Sequence, residues 1–200
     1  MTRVTELLDK GAYEGLYDLL KELKRSADDA KEKAGERGTA VHHALEQYGM
    51  FGVVPNVNEQ PVEWRGYFRA LRQFLEDYDP RFHSSEVRVG SLTHNYAGTY
   101  DARVTIARRQ GLLDAKTSKS PYPENFFQLA LYDRAAQECG EEPAEFLAVV
   151  RFAEDGGYEY IEIPAEHPLV SNDVLDAALG WYRGLKDMEA WLKDERKRQR

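Results

Sequence analysis

The stretch 111–120, GLLDAKTSKS, sets an acid and a base two positions apart, Asp114 and Lys116, behind a pair of leucines. In a β-strand residues i and i+2 share a face. A strand here would project the carboxylate and the ammonium together, with Ala115 on the opposite side. Such a pair is either a structural ion pair at a sheet edge or half of a site. A second acid, Asp101, stands thirteen residues earlier in the alternating run YAGTYDARVTIA, and RRQG between the two reads as a hairpin turn. Antiparallel neighbours can bring both carboxylates to one end of a sheet. Like charges that close are unfavourable unless a cation or a lysine neutralises them. Two carboxylates and a lysine suit a divalent-cation site that activates water and stabilises a charged phosphate transition state. Oxygen-rich ligation of this kind favours Mg²⁺ or Mn²⁺.

The elements that must position these groups can be read along the chain. Residues 3–34 read as helix on the spacing of Val4, Leu7, Leu8, Leu16, Leu19, Leu20 and Leu23, with Gly11 and Gly15 marking a bend. Gly35 and Gly38 bracket a turn, and Thr39 caps a second helix whose apolar face is Val41, Ala44, Leu45 and Tyr48. Gly49 and Gly52 end that helix. Residues 62–78 repeat Trp64, Tyr67, Phe68, Leu71, Phe74, Leu75 and Tyr78 at the spacing of an amphipathic helix, and DPRFHS breaks it. The period then drops to two. SEVRVGSL, YAGTYDARVTIA and LLDAKTS read as strands, NFFQLALYDRAAQEC as a helix, and EFLAVVRF with YEYIEIP as a second hairpin. A long helix from about Asn172 to Lys193 carries Val174, Leu175, Ala178, Trp181, Leu185, Met188 and Leu192 on one side. A basic tail, RKRQR, reads as a solubilising segment or a DNA contact. The order predicts an α/β fold, a central mixed β-sheet flanked by helices, in a single 1–200 domain. Its parts would be an N-terminal helical region 1–37, a core 38–165, and a C-terminal helix and basic tail 166–200.

Composition narrows the chemistry. With 42% hydrophobic residues the chain can build a core, and with 31% charged residues and no apolar run of about 20 residues it offers no membrane span. The N-terminus has no continuous apolar stretch of the kind that directs export, so a cytoplasmic protein is expected. The lone cysteine, Cys139, cannot form an intramolecular disulfide, nor can it alone build a cysteine-ligated zinc or iron–sulfur site. It reads as a thiol near a helix end. A net charge of −8 argues against coating nucleic acid through bulk electrostatics, but not against one local basic groove.

Four pieces in order, GTAVHHALE, YAGTYDARV, GLLDAKTSK and QLALY, resemble the RecB-type branch of the PD-(D/E)XK nuclease superfamily over about Gly38 to Tyr132. The resemblance implies a restriction-endonuclease-like core and a metal-dependent DNA nuclease. It assigns metal ligation to His42, Asp101, Asp114 and the backbone carbonyl of Ala115. The catalytic set it implies is Asp101, Asp114 and Lys116. Gln128 and Tyr132, four apart and so on one helix face, would contact the substrate strand, and Ser118 and Lys119 would touch phosphate. Glu86 offers either a second-metal ligand or a partner for a lysine; an exposed strand-start acid is the alternative. Glu46 either orients His42 or faces solvent. His43, His83 and His94 read as surface or packing residues. Arg103, Arg108 and Arg109 would form a basic rim on the hairpin. Contacts of that kind hold the backbone without reading bases. With one cysteine, no iron–sulfur cluster is expected. The small form resembles phage or prophage exonucleases of recombination or repair. It implies DNA ends or single strands as substrate and the cytoplasm of a bacterium or phage-infected host as setting. A strand-annealing or recombination protein, or a second copy of the chain, is the implied partner. A structure-specific endonuclease of the same chemistry and a non-catalytic DNA-binding scaffold remain alternatives.

Overall fold

The computed structural model describes the backbone of residues 10–199 and the side chains of residues 31–199. The apolar positions from Val4 to Leu23 therefore lie outside the described side chains. Contacts divide the chain into two units, Met1–Ala40 and Val41–Arg200. One long helix, α1 (Lys10–Phe51), contributes to both. The turn expected at Gly35 and Gly38 is thus corrected, as is the cap at Thr39. In the first unit the Thr39 hydroxyl donates to the Gly35 carbonyl at 3.1 Å, the back-bond of a residue inside a helix. Each glycine costs about 1 kcal/mol in a helix. The surrounding run of Ala, Glu, Lys and Arg, all strong helix formers, carries the helix through them.

In the second unit α1 buries Val41 and Leu45. It ends where Gly52 takes φ +66° and its N–H bonds the Tyr48 carbonyl at 2.8 Å, a left-handed cap. Gly49 does not end the helix. A Cβ there would stand 2.7 Å from the Phe82 ring, so this glycine lets α1 lie against the sheet. A short 3-10 turn (Val62–Trp64) leads into α2 (Arg65–Tyr78), which buries Tyr67, Phe68, Leu71, Phe74 and Leu75 as the periodicity predicts.

The sheet has five strands in sequence order: β1 (Arg81–Ser91), β2 (Tyr96–Ile106), β3 (Arg109–Lys116), β4 (Phe146–Phe152) and β5 (Tyr158–Pro164). Neighbours are antiparallel except β3 and β4, which run parallel and are joined through α3 (Pro123–Glu138). The protein is therefore an α/β fold with a central mixed sheet flanked by helices. β1 begins four residues before the predicted strand: DPRFHS turns only at its first residues, and Arg81 already pairs with Thr105. The β2–β3 turn is also displaced. It consists of Ala107 and Arg108, at φ 49° and 68°, and fixes the Ile106–Arg109 pair. That is the two-residue geometry whose twist suits a hairpin. Gly111 sits inside β3, where a Cβ would meet the Phe146 carbonyl oxygen at 2.4 Å.

The two faces of β4 explain its continuous apolar sequence. Leu147 and Val149 pack with Leu129, Ala130 and Leu112 under α3. Phe152, of opposite parity, meets Phe74 of α2 at 6.0 Å between ring centroids. The strand is buried on both sides, so it reads as FLAVVRF rather than as an alternation. Beyond β5, α4 (Asn172–Arg198) buries Leu175 alone. The remaining residues expected on its core face are not buried, and Trp181 is 71% exposed. The C-terminal basic residues Arg196, Lys197 and Arg198 form the last turn of α4 and are not a separate tail.

Candidate metal centre

The ladder registers place three acids in one row. Glu86 falls between the Ser85–Ala102 and Val87–Tyr100 pairs, across from Asp101. Asp101 is one step beyond Ala102–Leu113, where the β2–β3 ladder ends, and so faces Asp114. Directly opposed residues on adjacent strands have Cβ atoms about 5 Å apart. Three carboxylates in such a row repel one another unless positive charge is supplied.

The end of the β2–β3 ladder at this level is part of the site. Instead of a strand partner, the Ala115 N–H finds the Asp101 carboxylate, donating to Oδ2 at 2.8 Å. A strand residue directs its N–H and C=O toward the same neighbour, so the Ala115 carbonyl faces this gap as well. Asp114 is 3% exposed. Lys116 Nζ lies 2.7 Å from each of its carboxylate oxygens, so the i, i+2 pair shares a face.

Helix α1 supplies the nitrogen. His42 Nδ1 is 3.2 Å from Asp101 Oδ2 and 3.7 Å from Glu86 Oε1. Among the described residues, His42, Glu86 and Asp101 each offer a ligand atom within 4.8 Å of the others. Glu86 reaches this position from φ +52°, a backbone setting that strains an L-residue with a Cβ and that recurs at functional sites. His43 points elsewhere and meets Glu46 at 3.4 Å. Of the two readings for Glu46, neither orientation of His42 nor simple solvation describes it.

The electrostatics match the geometry. Burial, then the Asp101 charge, push Asp114 up to about 6, against the pull of Lys116. Glu86 is raised by partial burial and by Asp101. Burial works to lower the His42 imidazole, but the hydrogen bond and charge of Asp101 outweigh it and its pKa is raised. The cluster carries more negative charge than Lys116 and a protonated His42 relieve comfortably. One imidazole and several carboxylates suit a hard divalent cation such as Mg²⁺ or Mn²⁺, and the residues present fit one.

The other sequence candidates are distributed as follows. Gln128 Nε2 donates to Tyr132 Oη at 2.6 Å along α3. The Tyr132 ring lies on Gly98, where a Cβ would meet it at 2.2 Å, three residues before Asp101 on β2. Ser118 bonds the Ser120 carbonyl in the loop after β3, and Lys119 is exposed there. The expected basic rim is corrected. Arg103 is buried and spent on Glu141 (2.9 Å), Asp133 (3.6 Å) and the Glu142 carbonyl (2.9 Å). Arg109 pairs with Glu162 at 2.6 Å. Arg108 is in the turn, at the end of the hairpin away from Asp101 and Asp114. His83 bonds Thr105 and His94 pairs with Asp176. Cys139 caps α3 and is exposed. Glu86, only an open option in the sequence, belongs to the closest ligand group. The signal that finds it is the β1–β2 register.

No protein-family model matches the chain, and no curated protein matches it. Among solved structures, one described as "Crystal structure of SSO0001" is similar at 21% identity with a TM-score of 0.32, the match covering 47% of this chain and 47% of that one. Among the described residues no helix is long and apolar enough to cross a membrane.

Proposed function

We propose that the protein is a metal-dependent deoxyribonuclease that hydrolyses phosphodiester bonds from DNA ends. The observation that carries this reading is the convergence of His42, Glu86 and Asp101, from three separate elements, within 4.8 Å of one another and beside the Asp114–Lys116 pair. An ordinary surface acid cluster has no reason to recruit a half-buried imidazole, a strained glutamate and a desolvated aspartate to one level of a sheet. The resemblance of the four sequence pieces supplies the substrate class.

His42, Glu86 and Asp101 would hold the cation, with Asp114 and the Ala115 carbonyl facing the same gap. When bound, a divalent cation lowers the pKa of water and offsets charge on the scissile phosphate. The chain supplies the rest. The Ala115 N–H fixes one Asp101 oxygen and leaves the other free to ligate. Asp114 holds Lys116 in place, so its ammonium stands where negative charge accumulates as water oxygen adds to phosphorus and the bond to the leaving sugar oxygen breaks. Gln128 and Tyr132, braced on each other, present amide and phenol groups for a strand lying over β2. The proposed setting is the cytoplasm of a bacterium or phage-infected host, in recombination or repair, with a strand-annealing protein as partner.

The test uses end-labelled linear DNA and covalently closed circular DNA with Mg²⁺, Mn²⁺ or EDTA, beside Lys116→Ala. The expected result is metal-dependent loss of the linear substrate alone, absent in the variant. Cutting of the circle would replace the exonuclease with an endonuclease. Binding without cutting in either metal would overturn the catalytic reading.

A further inference from the structure

The apolar strand β4 carries a single charged residue, Arg151. Residues i, i+2 and i+4 of a strand share a face, so Arg151 stands on the side of Leu147 and Val149, under α3. In β3 the same alternation puts Lys116 on the side of Leu112 and Asp114. The parallel ladder pairs Lys116 directly with Arg151. The two cations are therefore neighbours on one face, on strands about 4.8 Å apart, and both are part-buried. They stand at the carboxyl ends of the parallel pair, the end of an open α/β sheet where ligands bind. Their carboxylate partners hold them unequally. Both oxygens of Asp114 lie 2.7 Å from Lys116 Nζ. Arg151 meets Glu159 of β5 through Nε alone, at 3.4 Å, long for a charge-assisted bond. Among the described residues its two terminal nitrogens have no hydrogen-bond partner. Arg103 and Arg109 of the β2–β3 hairpin, by contrast, spend a terminal nitrogen on the Glu142 carbonyl and on Glu162.

We infer that Arg151 binds the DNA backbone phosphate next to the one at the cation centre, an inference that rests on the nuclease reading. Arg151 is two strands away from Asp101, about 10 Å, too far to share a phosphate held over Asp101 and Asp114. The planar fork of a guanidinium takes two phosphate oxygens at once. Glu159, the register partner of Arg151, holds Nε and so orients the fork before DNA arrives. The bound strand then crosses the sheet in order. It passes Tyr132 over Gly98 of β2, the Asp101–Asp114 gap, Lys116 at the end of β3 and Arg151 on β4. The contact holds the backbone and reads no base. It also supplies from β4 the exposed guanidinium that the hairpin arginines do not offer. An arginine serving only the ion pair with Glu159 would be equivalent to its partner on deletion. A phosphate ligand would not, because only the arginine touches DNA.

The test compares the full chain with Arg151→Gln and Glu159→Gln, which break the same ion pair from opposite sides. Binding of a short fluorescein-labelled single strand is followed by anisotropy in EDTA over a range of NaCl concentrations, and cleavage of the same strand is followed in Mg²⁺ and Mn²⁺. Arg151→Gln is expected to weaken binding about tenfold, the loss of one charge-assisted contact. It should also flatten the plot of log affinity against log salt by about 0.7, one phosphate fewer on a single strand. In the cleavage assay it should raise KM with kcat unchanged, the mark of lost uniform binding. Glu159→Gln, which leaves the arginine in place, should keep the parent's salt slope and KM. An Arg151→Gln chain with the parent's slope and KM would overturn the proposal while a cutting parent left the nuclease reading standing. Equal losses in the two variants would overturn it in favour of a structural ion pair. A parent that neither binds nor cuts the strand would overturn both readings together.

Discussion

Replacing Asp114 by Asn is expected to make the metal-free protein more stable while abolishing the proposed activity. Asp114 is almost wholly buried, and its pKa rises from 3.8 to about 6 because burial and then the Asp101 charge oppose ionisation. A folded-state pKa above the unfolded value means that the folded chain holds the proton more tightly. The stabilising effect is complete below pH 3.8 and is lost as pH rises through about 6. At about 1.4 kcal/mol per pKa unit, the ionised carboxylate costs the native state about 3 kcal/mol at pH 8. Asn keeps the shape without the charge and escapes that cost. For a chain of this size about 3 kcal/mol corresponds to roughly 6–12 °C in Tm. The assay is urea unfolding of both chains in EDTA at pH 8 and at pH 4. The variant should gain up to about 3 kcal/mol at pH 8 and almost nothing at pH 4. A variant less stable than the parent at pH 8, or a difference independent of pH, would refute the reasoning.

Lys116→Met should reduce DNA cleavage by about a hundredfold or more, the scale of removing one preorganised charge donor, with Mn²⁺ binding by calorimetry retained. His42→Ala and Glu86→Gln should each weaken Mn²⁺ binding by at least about tenfold, equivalent to roughly 1.4 kcal/mol, read in the same calorimeter. Gly98→Ala should destabilise the fold by about 1–3 kcal/mol through collision with the Tyr132 ring, and the same substitution should cost little when measured against a Tyr132→Ala parent in thermal melts. Arg103→Ala should cost about 1–3 kcal/mol by removing the cation beside Asp133 and Glu141, Asp133 keeping its bonds from the Ala144 N–H and Gln137, without changing the metal affinity of the folded protein.

Periodicity made the core elements legible. The α2 face, the alternation in β2, the β4–β5 hairpin and the Asp114–Lys116 face all follow from local repeats of 3.6 or 2. What periodicity could not carry was long-range bookkeeping. Gly35 and Gly38 look like punctuation, but helix propensity on either side overrides them. Arg103 looks like a free cation on a hairpin, but Asp133 and Glu141, from a distant helix and loop, consume it. Glu86 gains its meaning only when the β1–β2 register sets it across from Asp101, and no window of ten residues contains that fact. Trp181, Leu185, Met188 and Leu192 of α4 read as core because apolar spacing does not say what covers a face.

The row of acids has a consequence for the order in which the chain assembles. Glu86, Asp101 and Asp114 belong to one antiparallel meander, residues 81–116, whose pairings are local in sequence. The parallel β3–β4 pairing must wait for the excursion through α3. Local hairpins close before long crossovers because loop closure costs them less. Mutual repulsion in the row is then encountered on the way to the transition state, not after it. Low pH or millimolar Mn²⁺ should accordingly quicken refolding more than it slows unfolding. The charge of the row would thus act as a brake on folding that the proposed cation releases.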